Sequence, residues 1–172
     1  MLTLAQKTLV QETFARVATI ADDAAALFYR RLFEIDPSLQ QMFHGNMAEQ
    51  RKKLTQMLTV AVKGLDHLEQ LVPAVQGLGR RHAIYGVTDQ HYETVGAALL
   101  WTLQKALGTA FTREAREAWA AVYDLLATTM KDAAREGLAA RNRIVASALG
   151  RKDGVVVNPW IASRILPANR LR

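Results

Sequence analysis

The sequence predicts an all-α fold, and three observations carry that prediction. Apolar residues recur at three- and four-residue spacing along most of the first 137 residues. Proline and glycine signals divide this pattern into seven segments. No segment calls for a strand, and no internal repeat is visible. The chain has 172 residues, half of them hydrophobic, which suits one domain with a packed core and a tail.

The first helix opens at Thr3, with Gln6 three residues on in the spacing of a capping box. Leu9, Val10, Phe14 and Val17 face inward. A second helix runs from Ala21 to Ile35 with Ala25, Phe28, Leu32 and Phe33 inward. Asp36-Pro37 stops it, because proline removes a donor and turns its predecessor away from helix. Pro37 then suits the first turn of a short helix ending near Met42. His44-Gly45-Asn46 reads as a loop. A fourth helix starts near Met47 and points Leu54, Met57, Leu58, Ala61 and Leu65 inward. A fifth runs from Glu69 to His82, and Gly86 with Thr88-Asp89 breaks it. The sixth spans Gln90 to Leu107, with Thr88 or Asp89 as cap and Gly108 as its end. Thr112 opens the seventh, ending near Gly137. Residues 138–149 extend that helix or leave it. Arg151–Gly154 reads as a turn, and 150–172 as an irregular tail in which Trp160 packs onto the body.

The net charge of +6 has one source. Residues 137–172 hold seven of the 22 basic side chains and one of the 16 acidic ones, so residues 1–136 carry fifteen of each. A neutral body with a basic extension argues against a nucleic-acid-binding domain. The absence of cysteine excludes disulfides, thiolate-bound haem, iron–sulfur clusters and thiol nucleophiles. No apolar run has the length of a membrane span, and the N-terminus lacks the order of a signal peptide. Cytoplasmic residence is the expectation.

Nucleotide-binding glycine loops, HExxH and serine-nucleophile motifs are all missing. Four histidines remain. His44 and His67 sit at polar helix boundaries, and His91 lies near a helix start. His82 closes a face made of Leu71, Val75 and Leu78, at spacings of four, three and four. By itself such a histidine is either a satisfied core residue or a ligand.

The surroundings of His82 resemble the proximal side of globins. Leu78-Gly79-Arg80-Arg81-His82-Ala83-Ile84-Tyr85-Gly86-Val87, followed by Tyr92 to Leu100, is most similar to bacterial single-domain haemoglobins and the globin part of flavohaemoglobins, with a likeness to neuroglobin. Phe28 to Phe33, Asp36-Pro37 and Phe43 form a second matching stretch, and Gln50 to Leu54 a third. The resemblance covers residues 1–137 and implies a globin fold of about seven helices around a haem pocket. Residues 138–172 are then a basic C-terminal extension.

The resemblance implies haem b, iron protoporphyrin IX, with His82 as the proximal iron ligand. It makes Phe43 the residue that wedges the haem. Leu58, Val87, Val95 and Leu99 become apolar haem contacts, and Lys53 and Arg81 partners for its carboxylates. On the distal face it assigns Tyr29 and Gln50 as polar groups, with Leu54 beside them. A phenol or amide donor aimed at a charged acceptor is worth ~1.5–3 kcal/mol. One departure stands out. The relatives hold a glutamate against the proximal imidazole, at the position occupied here by Ala134; Asp132 and Glu136 fall on other helix faces. Tyr92, its usual companion, is present. The expectation is that the His82 N–H turns to the Leu78 carbonyl, weakening the electronic push on the metal.

Three functions follow from the resemblance. The first is reversible binding of dioxygen or another diatomic gas. The second is nitric oxide dioxygenation, which needs a separate reductase, because the 35 residues after Gly137 are too few for flavin and nicotinamide domains. The third is gas sensing with the basic extension as output.

Overall fold

The computed structural model describes residues 2–150, and the side chains of 2–147. The predicted turn at 151–154, the irregular tail and Trp160 lie outside the described residues. Six α-helices and three short 3-10 turns make up the described chain: α1 Leu4–Ala18, α2 Ala21–Ile35, a turn at Pro37–Met42, α3 Met47–Lys63, a turn at Gly64–His67, α4 Leu68–Ile84, α5 Asp89–Leu107, a turn at Gly108–Ala110 and α6 Arg113–Gly150. No strand occurs among the described residues. The contacts divide the chain into two compact units, Met1–Gly137 and Leu138–Arg172.

Local chemistry accounts for most boundaries. Thr3 caps α1 in a reciprocal box with Gln6. Asp36 ends α2, and its side chain accepts from the Ser38 N–H at 3.0 Å, which starts the turn that Pro37 opens. Asn46 caps α3 through a 2.8 Å bond from the Ala48 N–H. The Thr88 N–H donates to Nδ1 of His91 at 3.2 Å, so His91 serves the start of α5.

Two expectations need correction. Met57 is 42% exposed, and the inward position of that turn of α3 is Val62 instead. The spacing from Leu54 and Leu58 continues to Val62, whereas Met57 falls on the flank. The helix bearing His82 does not end there, since α4 continues to Ile84. Of the two alternatives for residues 138–149, continuation of the last helix holds: α6 runs past Gly137 to Gly150, because a single glycine costs only ~1 kcal/mol inside a helix.

In the first unit α2 packs on both α3 and α5. The core gathers Val10, Phe14, Phe28, Leu32, Leu65, Leu103 and Trp119 from five elements. Trp119, 2% exposed, donates its indole N–H to Thr13 Oγ at 2.9 Å. Gly79 of α4 is buried against α6, and a Cβ there would overlap the backbone of Met130. That contact brings α6 up to the helix that carries His82.

Candidate functional site

The predicted residues fall into two groups. The first surrounds His82. On α4, Leu71 and Val75 are buried, while Leu78 and His82 are half-buried. His82 Nδ1 lies 3.0 Å from the Leu78 carbonyl oxygen. A carbonyl can only accept, so this bond places the proton on Nδ1 and leaves the Nε2 lone pair free. Burial lowers the His82 pKa below its ordinary value; the Leu78 bond opposes that shift, and the nearby Arg81 charge adds to it. The ring is therefore neutral at neutral pH, as metal ligation requires. The Tyr92 ring stacks beside it, centroids 6.1 Å apart and planes 25° apart. Val87 is half-buried and donates its N–H to the His82 carbonyl at 3.0 Å. Ala134 is half-buried, and Asp132 and Glu136 are exposed, with Asp132 facing Arg135 at 3.5 Å.

The second group is centred on Tyr29, buried on α2. Its ring contacts three phenylalanines, with centroids 5.2 Å from Phe28, 6.0 Å from Phe33 and 5.3 Å from Phe43. Burial pushes the phenol pKa up to about 12, so the group remains a hydrogen-bond donor. It donates to the backbone carbonyl of Gln50 at 3.3 Å. Tyr29 and Gln50 thus meet, but through the main chain of Gln50 and not its amide. Phe43, Leu54, Leu58 and Val95 are half-buried and pack on the same core as Tyr29 and the buried Leu99. A cavity of about 40 Å³ lies among Phe28, Leu54, Leu58, Leu99 and Trp119. Lys53 and Arg81 are exposed, as are His44 and His67.

Among the described residues, no three His, Cys, Asp or Glu side chains gather in a way that could hold a bare metal ion. A lone neutral imidazole suits a metal that brings its own ligands, as porphyrin iron does. The half-buried apolar side chains and a protonated phenol suit a flat apolar group with a small ligand on it. The residues present fit a haem.

Sequence reasoning missed two contributors. Gly79 admits the close approach of α6, and its signal was a glycine in the middle of an amphipathic helix. Lys131 places its ammonium 5.9 Å from the Tyr92 ring centroid, a contact between distant segments that no local pattern encodes.

The globin family model matches residues 26–130. A flavohemoprotein of Vibrio cholerae is 31% identical over 140 residues, covering 80% of this chain and 35% of its own length. The chain thus spans about a third of that relative. A neuroglobin of Tetraodon nigroviridis is 33% identical over 118 residues, covering 60% of this chain and 74% of the relative. Among solved structures, a bacterial globin from Campylobacter jejuni superposes with a TM-score of 0.68 at 26% identity, over 78% of this chain and 97% of that one. An engineered carbene transferase from Rhodothermus marinus gives 0.74 at 25% identity, over 83% and 99%.

Proposed function

This chain belongs to the globin family of haem-containing, gas-binding proteins, and on that premise we propose that it holds haem b through His82 and binds dioxygen reversibly. Haem, when bound, would supply an iron able to take up a diatomic gas. Every other part of the task falls to the chain. His82 offers Nε2, with Nδ1 engaged by the Leu78 carbonyl at 3.0 Å. That bond is the observation that carries the reading, because it selects the tautomer that leaves Nε2 free. A neutral carbonyl pulls less on the Nδ1 proton than a carboxylate would, so the imidazole is left less electron-donating. This favours ligand binding over peroxidase-type chemistry.

Tyr29 would provide the phenol donor for the gas, and the phenylalanines around it hold its ring in one place. The Gln50 carbonyl keeps the hydroxyl nearby when no ligand needs it. Phe43, Leu54, Leu58, Val87, Val95 and Leu99 would shield a bound haem from water. Lys53 and Arg81 are exposed and can pair with the haem carboxylates at the solvent edge.

The similarity to a flavohemoprotein favours a second reading, nitric oxide dioxygenation supported by a separate electron donor. Absorption spectra of the reconstituted chain test the first claim: a histidine-ligated ferrous haem that binds dioxygen and releases it under argon is expected. No Soret band would sink it. Sustained nitric oxide consumption with a reductase, and little without one, would select the second reading.

A further inference from the structure

The Tyr92 residue is 7% exposed, and its hydroxyl is buried without a hydrogen-bond partner. A hydroxyl in that state is a cost to the fold, so the value of the residue lies in its ring. One ring face stacks against His82 at 6.1 Å and 25°. Lys131 of α6 places its ammonium 5.9 Å from the ring centroid. The main chain at the same position is also anchored, since the Tyr123 hydroxyl donates to the Tyr92 carbonyl at 2.5 Å. Tyr123 reaches there because Gly96 has no side chain, and a Cβ would collide with the Tyr123 ring. The Met130 backbone, one residue before Lys131, rests against Gly79 of α4. Helix α6 thus braces the Tyr92 ring and the helix that carries His82.

A single hydrogen bond leaves the imidazole free to tilt about the line from Nδ1 to the Leu78 oxygen. A flat ring against the imidazole removes that freedom by fixing its plane. Rotation of the ring by half a turn about Cβ–Cγ would break the Leu78 bond, putting Cδ2 where Nδ1 stands and Cε1 where Nε2 stands. Ala134 has no polar atom with which to oppose either motion.

We propose that Tyr92 is a positioning residue for His82 that acts through the face of its ring, braced by Lys131 and Tyr123, while its hydroxyl takes no part. The role deepens the haem reading and rests on it for its purpose, although the stack itself exists in the chain without haem. It differs from a hydrogen-bonded proximal tyrosine in one measurable way: removing the hydroxyl is harmless, whereas removing the ring is not.

The test uses the full chain, ¹⁵N-labelled, before and after haem is added. Ring-nitrogen NMR of the haem-free chain reports the His82 tautomer, and the iron–imidazole stretching band reports its orientation after loading. The parent and Tyr92→Phe should show one Nδ1–H tautomer and the same single band, with Tyr92→Phe melting no lower than the parent. Tyr92→Leu should weaken the tautomer preference about three- to tenfold and broaden the band. Lys131→Ala should move both signals the same way by less, and it replaces Tyr92→Leu if that variant does not fold. Equal perturbation by Tyr92→Phe and Tyr92→Leu would overturn the proposal. So would unaltered signals in Tyr92→Leu, or, where that variant does not fold, in Lys131→Ala. Failure of the parent to take up haem would reject the haem reading instead, leaving the tautomer measurement intact.

Discussion

Replacing Tyr29 by phenylalanine removes one oxygen atom from a ring held by Phe28, Phe33 and Phe43, so the packing of the site survives. What changes is the donor. A hydrogen bond to a charged acceptor is worth ~1.5–3 kcal/mol, but the hydroxyl does not start free. It already donates to the Gln50 carbonyl at 3.3 Å, toward the long end of the range, and must give up that bond, worth ~0.5–1.5 kcal/mol, to serve a ligand. With the surrendered bond at the weak end of its range, ~0.5 kcal/mol, the net gain is ~1–2.5 kcal/mol. Tyr29→Phe should accelerate dioxygen dissociation by about tenfold, and by less than about a hundredfold. Stopped-flow displacement of dioxygen by carbon monoxide measures this rate. An unchanged rate would reject Tyr29 as the donor. An increase well beyond a hundredfold would reject the exchange of partners, because it would require a hydroxyl with nothing to surrender. Dissociation of carbon monoxide, which polarises less, should change little in the same variant.

Three further outcomes are expected. The lowered His82 pKa means that the unfolded imidazole, near 6.5, takes up its proton before the folded one does. The contribution of His82 to stability is thus full above about pH 6.5 and is lost as pH falls from there through the lower folded value. Denaturant unfolding of the haem-free chain at pH 7.5 and 5.5 should show a loss that is smaller in His82→Leu, and equal losses would contradict the shift. Gly79→Ala forces a Cβ onto the Met130 backbone, which cannot yield as a side chain could, and should cost at least ~2 kcal/mol; a thermal melt should fall by about 4 °C or more, and an unchanged melt would deny the close approach. Thr13→Val strands the buried Trp119 N–H and should cost ~1–3 kcal/mol, whereas Thr13→Ser keeps the acceptor and most of the stability; equal losses in the two variants would place the cost in packing instead.

The legible features were the local ones. Asp36-Pro37, Gly86 and Gly108 mark chain breaks through the backbone conformations they impose or permit, and Gly86 and Gly108 indeed adopt positive φ. The face of Leu71, Val75, Leu78 and His82 follows from helical geometry, and the one-turn spacing of Leu78 and His82 already suggested their hydrogen bond. Met57 was misplaced because an apolar side chain on the flank of an amphipathic helix satisfies the pattern as well as one facing inward. The partner of Tyr29 was less legible for a different reason. Residue types suggested a phenol and an amide acting together, but which atom of Gln50 meets the hydroxyl depends on how α2 and α3 cross.

The sequence by itself determined where the helices begin, which faces are apolar, and which histidine stands at the end of such a face. Those properties arise from neighbours within one or two helical turns, where covalent geometry sets the distances. Only the tertiary structure decided what surrounds His82. The Tyr92 ring is ten positions away in the chain, while Lys131 and the Met130 backbone are nearly fifty away, on another helix. Their arrival depends on packing, and at its centre on one glycine small enough to let two helices touch.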